Sequence, residues 1–321
     1  MNCLLISPLA FYDFHDQLGR ALVKKGYDVS FVNDEVPNSL LIKIISKFRL
    51  HLLARIFSLK YFERSLIETK CEHFDLIIIV RGRGVSRKAI RLFRAFSSNI
   101  VGYNFDSFMF NPGALDWMSD CTRYCTFDPQ DARQYSLPLV QLFADDSAGS
   151  LEVKKQYDVS CIMKIHSSRL NYVWEFLSRF PQLTCYVYLY VPNIFSLILL
   201  ILTRPRLFFR LREYMHYSPM SPLKYNEVLR SSNCALDYAH DSQTGITKRC
   251  FEALAAGVGV ITNNPEVTMI DESVSEHFLV MSLADLKAKT SKDIPSFCAR
   301  PVDPFIRNAN DFLNDLTNGV I

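Results

Sequence analysis

The 321-residue sequence contains no Cys-x-x-Cys pair. Its nine cysteines are scattered, and the nearest two, Cys121 and Cys125, have no third and fourth ligand beside them. A zinc or iron–sulfur site is therefore not expected, and buried free thiols in a reducing compartment are. Charge of one sign is also scarce. The 36 basic and 33 acidic side chains leave a formal charge of +3, which gives no reason to expect nucleic acid as a partner. No run of eighteen or more apolar residues offers a membrane span. The nearest, 185–202, is interrupted by Pro192, Asn193 and Ser196 and reads as a strand followed by a separate helix. Met1-Asn2-Cys3-Leu4-Leu5-Ile6 lacks a basic stretch ahead of its apolar residues, so a buried first strand is expected rather than a secretory signal, and the chain is expected in the cytoplasm. No short repeat or low-complexity tract is visible.

Half the residues are hydrophobic (49%) and a fifth are charged (21%), enough apolar material for two packed cores at this length. Apolar β-branched runs alternate with helical spacing. In the first half, strands are expected at 3–6, 28–32, 75–80, 99–103 and 124–127, with helices at 16–25, 40–66 and 86–96. Lys24, Lys25 and Gly26 close the first helix as a C-terminus should. The pattern restarts after the polar stretch 144–156, with strands at 158–163, 184–191, 234–238, 258–262 and 278–280 and helices at 170–180, 225–230 and 247–256. Strands alternating with helices predict parallel, doubly wound sheets. The expected fold class is α/β, with two Rossmann-like domains and a cleft between them: 1–147, then 153–300, with 301–321 forming a C-terminal helix. In such sheets ligands sit beyond the carboxyl ends of the strands.

The informative stretch runs Leu236-Asp-Tyr-Ala-His-Asp-Ser-Gln-Thr-Gly-Ile-Thr-Lys-Arg-Cys-Phe-Glu-Ala-Leu-Ala-Ala-Gly257 and into the strand Val258–Thr262. A polar loop holding Gln243, Thr244 and Gly245 enters a helix at Thr247. Its unpaired N–H groups and dipole suit a diphosphate. Lys248 and Arg249 fall in the first turn, where the dipole gains nothing from cations, so an anion is expected beside them. Glu252 shares a face with Lys248. A carboxylate there can accept both hydroxyls of a ribose. Gly257 is placed as the helix C-cap.

Phe251-Glu252-Ala253-Leu254-Ala255-Ala256-Gly257-Val258-Gly259-Val260-Ile261-Thr262 resembles the Glu-Ala-Leu-Ala-x-Gly run of GT-B glycosyltransferases. Eight positions before Glu252 stands Thr244, where many relatives carry a carboxylate. The Gln243-Thr244-Gly245-Ile246-Thr247-Lys248-Arg249 pattern is similar to a subgroup from lipopolysaccharide and capsular polysaccharide gene clusters. The resemblance implies that Glu252 holds the nucleotide ribose and that the preceding loop faces the donor phosphates and sugar. It implies a sugar transfer from a nucleotide-sugar donor to a saccharide or lipid-linked saccharide acceptor. It also implies a C-terminal helix near 302–316 that packs back toward the N-terminal domain. Tyr157-Asp-Val-Ser-Cys-Ile-Met163 with Lys164 and Arg169 resembles the opening strand and basic loop of the donor domain, and residues 74–80, 101–107 and 126–132 resemble the N-terminal half.

Several residues carry two readings each. Lys164 and Arg169 are donor-phosphate contacts or surface charges. His240 touches the donor sugar or is a satisfied structural histidine. Asp106, just past a strand, is a general base for the acceptor hydroxyl or the cap of a turn around Asn111-Pro112-Gly113. Asp13 and His15, in the loop after the first strand, are its rivals. No cofactor is expected, and with no Asp-x-Asp pair beside a strand end, no metal. A nicotinamide oxidoreductase needs Gly-x-Gly-x-x-Gly after the first strand, and Pro8-Leu9-Ala10-Phe11 is unlike it. A catalytically silent nucleotide-binding or scaffold protein of the same fold is the other alternative. Two basic amphipathic stretches, 41–64 and 194–212, are candidates for contact with an anionic membrane surface, the second favoured.

Overall fold

The computed structural model describes the chain except for residues 10–13, 37–50, 145–152, 166–167, 241, 270–271, 289–292 and 321. The chain divides into two compact units, Met1–Leu142 with Asn308–Ile321, and Phe143–Arg307.

The first unit is built on a parallel sheet of β1 (Asn2–Ser7), β2 (Asp28–Asn33), β3 (Leu76–Val80), β4 (Ile100–Asn104) and β5 (Arg123–Thr126), in the order β2-β1-β3-β4-β5. Every residue of β3 and β4 is buried, as central strands covered on both faces require; β3 is an unbroken apolar run, and β4 buries Asn104 at its end. Helix Phe14–Lys24 ends at Gly26, whose φ of +87° is the left-handed cap expected there. Ser86 caps helix Arg87–Arg94 by accepting from the Ala89 amide. The stretch expected as a helix over 40–66 is described only from His51, as His51–Thr69.

The C-terminal helix runs Ala309–Thr317 and belongs to this first unit. It starts seven residues later than the 302–316 span that the resemblance implied. Pro301 and Pro304 interrupt the helical ladder, and the extended approach is held instead by Phe305 N–H to Leu254 O and Ala144 N–H to Arg307 O. Asn308 and Asp311 then form a capping box that fixes the start. Phe312 lies 5.8 Å from the Phe14 ring and 4.9 Å from the Tyr103 ring.

The second unit has β6 (Tyr157–Lys164), β7 (Cys185–Tyr190), β8 (Met215–His216), β9 (Ser232–Asp237), β10 (Gly259–Thr262) and β11 (Phe278–Val280), all parallel, in the order β11-β10-β9-β6-β7-β8. Counted within the unit this is the 3-2-1-4-5-6 order of dinucleotide-type folds. The two-residue β8 is too short to leave an alternation in the sequence. One sheet face packs Val159, Cys161, Met163, Leu189 and Leu236 with helix Arg169–Arg179 into the core. All nine cysteines are free thiols, six of them buried. Burial pushes the Cys161 thiol up to about 12, so it is inert as a nucleophile.

Asp131 carries a stability consequence. Its carboxylate accepts from the Phe108 amide at 2.7 Å, yet burial, with Asp128 adding to it, pushes its pKa up to about 6 from 3.8. A folded-state value above the unfolded one means that this group's contribution is fully present below pH 4 and lost as pH rises through 6. Asp131→Asn is expected to remove that loss, roughly 3 kcal/mol in total. Urea midpoints of parent and variant at pH 4 and pH 7 measure it; an equal pH dependence in both refutes it.

Candidate functional site

In the second unit the strand order reverses between β6 and β9, and there the two strands part. Their pairing begins at Tyr157 and Ser232 and ends at Ser160 and Ala235, although β6 continues to Lys164 and β9 to Asp237. Arg249 fills the opening. Its guanidinium donates to Ile162 O at 3.2 Å and pairs with Asp237 at 3.1 Å. Asp237 is buried and also accepts from the hydroxyls of Thr247 at 3.0 Å and Thr262 at 3.5 Å. One carboxylate thus ties the end of β9 to β10, to the N-cap of helix Lys248–Ala255 and to that helix's first arginine. Sequence reasoning missed Asp237. Its signal was an acid closing an apolar strand, a position that leaves it at the carboxyl edge of the sheet.

One turn further along, Glu252 Oε2 accepts from the Tyr225 hydroxyl at 2.8 Å and Oε1 lies 3.4 Å from Lys248 Nζ. Burial, and the Glu252 carboxylate beside it, push the Tyr225 phenol well above its ordinary value, so it remains a donor. Tyr225 comes from helix Pro222–Arg230, far away in sequence, and no spacing rule connects it to Glu252. The anions that meet the two first-turn cations are therefore the chain's own, Glu252 for Lys248 and Asp237 for Arg249. A pocket lined by Ser160, Ile162, Tyr225, Leu229, Asp237 and Arg249 lies between these helices and the sheet.

The loop between β9 and the helix is held from the turn after β10. Asn263 brackets Ala239, accepting from its amide at 2.7 Å and donating to its carbonyl at 3.0 Å. Asn264 donates to the carbonyls of Thr244 at 3.0 Å and Gly245 at 3.3 Å. His240 Nδ1 accepts from the Ser242 amide, and Gln243 N–H donates to His240 O. No spacing in the sequence discloses the role of the two asparagines, which depends on the strands being neighbours. Arg169 is buried, donating to Lys164 O at 3.0 Å and Tyr238 O at 3.3 Å, so it joins the loops after β6 and β9. Lys164 is exposed at the end of β6. Gly257, at φ +66°, caps the helix.

In the first unit, Asp106 lies two residues beyond β4, its Oδ2 3.9 Å from Arg83. The turn to Asn111 is closed by the Ser107 carbonyl, which accepts from Phe110 and Asn111. His15 is in the first turn of helix Phe14–Lys24, not in a loop, because the helix begins earlier than its spacing indicated; Nε2 is 3.4 Å from Asp16. Asp13 lies outside the described residues. A pair that the sequence did not disclose sits at the same strand edge: the fully buried Asp34 receives two bonds from Arg81, at 2.6 and 2.7 Å. Among the described residues, no three His, Cys, Asp or Glu side chains gather as metal ligands do.

No family model matches the sequence, and no curated protein does. Solved structures do match it over its length. The lipopolysaccharide outer core galactosyltransferase WaaB, in its apo form, superposes with a TM-score of 0.57 at 11% identity, covering 100% of both chains. The UDP-GlcNAc 2-epimerase of Methanocaldococcus jannaschii, in complex with UDP-GlcNAc and UDP, gives 0.56 at 11% identity over 99% of each chain. AviGT4, a glycosyltransferase involved in avilamycin A biosynthesis, gives 0.54 at 10% identity over 99% of this chain and 92% of that one. At these identities the likeness is one of fold. The chain has the GT-B fold, two parallel-sheet α/β units, as in these glycosyltransferases and the epimerase.

Proposed function

We propose that this protein is a glycosyltransferase that moves a sugar from a nucleotide-sugar donor to a saccharide or lipid-linked oligosaccharide acceptor of a cell-surface polysaccharide, of the lipopolysaccharide or capsular kind. It works in the cytoplasm at the inner face of the membrane. The observation that carries the reading is Glu252, oriented by Tyr225 and Lys248 at the start of a helix beside the sheet's switch point. A carboxylate has about four lone-pair sites. The protein occupies one on each oxygen, which leaves acceptors for two ribose hydroxyls. The diphosphate meets the N–H groups at the start of the helix after Thr247, with Lys248 and Arg249 near it. Gln243, Thr244, Gly245 and His240 face the donor sugar, and Lys164 and Arg169 stand on the phosphate side. Asp106 is the acceptor's general base, with His15 and Asp13 as rivals. The reading invokes neither cofactor nor metal.

A thermal-shift screen against UDP, GDP, dTDP and CMP identifies the nucleotide. With that nucleotide, Glu252→Gln is expected to lower affinity about tenfold to a hundredfold, because charged hydrogen bonds are worth about 1.5–3 kcal/mol. Asp106→Asn is expected to leave affinity intact and reduce turnover. Unchanged calorimetric affinity in Glu252→Gln defeats the reading.

A second reading is epimerisation of the nucleotide-sugar, favoured by a fold likeness to the epimerase (TM-score 0.56) close to that of the galactosyltransferase (0.57). Incubation with the nucleotide-sugar alone separates the cases. A transferase releases nucleotide by slow hydrolysis, an epimerase alters the sugar still attached, and a silent binding protein does neither.

A further inference from the structure

Helix Ile194–Thr203, Ile-Phe-Ser-Leu-Ile-Leu-Leu-Ile-Leu-Thr, follows β7 in the second unit. Leu200 is its sole buried residue. Phe195 is 79% exposed, Leu202 75% and Leu199 62%, and Ile194, Ile198 and Ile201 are exposed too. The next helix, Pro205–Leu211, adds the exposed Phe209. Helices of water-soluble surfaces bury one apolar stripe and show a polar one. This one shows apolar side chains nearly all round, with no charge on it. The charges come directly after: Arg204, Arg206, Arg210 and Arg212 within nine residues, against the single acid Glu213. Arg210 lies 4.7 Å over the Trp174 ring and Arg212 6.0 Å over the Phe209 ring, so guanidinium groups lie directly beside the apolar area.

We infer that helix Ile194–Thr203 and the arginines that follow it form a surface that docks on anionic lipid, the helix lying in the interface and the arginines meeting lipid phosphates. Length and charge choose this occupant. Ten residues make a helix roughly 15 Å long, half of what a bilayer core requires. No described helix is long and apolar enough to cross a membrane. An apolar face bordered by cations is the pattern of an interfacial helix. A second copy of the chain fits less well, because a two-fold contact brings two arginine clusters of one sign into one interface. As a means of reaching a lipid-linked acceptor, the surface rests on the transfer reading. As a lipid-binding face it is tested without any donor.

The test is co-sedimentation of the full chain with vesicles of phosphatidylcholine alone and of phosphatidylcholine mixed with phosphatidylglycerol. The parent is expected to sediment with the mixed vesicles and to remain in the supernatant with neutral ones. Combined Phe195→Ser, Leu199→Ser and Leu202→Ser is expected to abolish sedimentation. Combined Arg206→Ser and Arg210→Ser is expected to weaken it about twenty-five-fold, near fivefold per arginine, and to reduce its sensitivity to salt. All five side chains are exposed, so melting temperatures and nucleotide affinity should match the parent. Parent-like sedimentation of both variants overturns the inference. So does a parent that ignores anionic vesicles but is a dimer which the triple substitution makes monomeric. Since no donor is present, a failed Glu252→Gln result leaves this outcome standing, and the reverse holds too.

Discussion

Replacing Arg81 by methionine is expected to unfold the first unit on the order of 10 °C earlier than in the parent. Asp34, at the carboxyl end of β2, is wholly buried, and the Arg81 side chain is only 11% exposed. Their two-pronged contact at 2.6 and 2.7 Å is reinforced by the Arg83 amide on the same carboxylate at 3.2 Å. Removing one member of a buried pair costs about 3–5 kcal/mol, because the other is left charged and unmatched. At about 2–4 °C per kcal/mol for a unit of this size, a drop near 10 °C follows. The loop reinforces the argument. Arg81 itself has φ +65°, a left-handed backbone that a non-glycine residue keeps only when its surroundings hold it there. Here Arg81 N–H donates to Tyr103 O at 2.7 Å and Asn111 donates to Arg81 O at 2.7 Å. Trp117 sits against the neighbouring Gly82, where an added Cβ would come within 2.7 Å of the indole. In a Trp174→Phe background, Trp117 fluorescence therefore reports on this unit alone. Adding Asp34→Asn to Arg81→Met should recover part of the loss. An unshifted transition in the single variant refutes the pair's role.

The parallel sheets were legible because short apolar runs alternate with helical spacing, most clearly at Leu76-Ile-Ile-Ile-Val80, a largely β-branched run that no helix period explains. Helix ends were legible where glycine takes a left-handed conformation, at Gly26 and Gly257. Two residues of β8 were not, since pairing with β7 makes that strand and periodicity does not. The same division runs through the candidate site. Glu252, Lys248 and Arg249 lie close together in one motif, so spacing alone brings them to one helix. Tyr225, Asp237, Asn263 and Asn264 act through neighbours 10 to 27 positions away, and those contacts exist only once the strand order is set. Asp34 and Asp237 share a sign readable in retrospect, an acid at the carboxyl end of a strand, where a buried charge survives only if something comes to meet it. What meets it, Arg81 or Arg249, is a fact of the fold.

Asp237→Ala is expected to destabilise the second unit by about 3–5 kcal/mol and to lower nucleotide affinity more than tenfold, without Asp237 touching the ligand. The side chain is 4% exposed and serves Arg249, Thr247 and Thr262 at once. Its loss leaves Arg249 bonded to Ile162 O in the opening between β6 and β9, and frees the N-cap of helix Lys248–Ala255 from the strand that positions it. The helix start then loses its fixed place relative to Glu252, and a displacement near 1 Å is enough to impair binding geometry. A double-mutant cycle separates the two parts Arg249 could play. If its task is to brace the switch point, Arg249→Met alone destabilises the unit. Combined Asp237→Asn and Arg249→Met then costs less than the sum, since removing both members of a buried pair is close to neutral. If its task is to meet a donor phosphate, Arg249→Met lowers nucleotide affinity with little change in stability, and the cycle is additive. Trp174 fluorescence in a Trp117→Phe background follows the second unit's urea transition, and calorimetry follows the nucleotide. The contacts to Ile162 and Asp237 favour the first outcome, a coupling energy of about 2 kcal/mol in stability. Additive stabilities would remove Asp237 from the frame of the site.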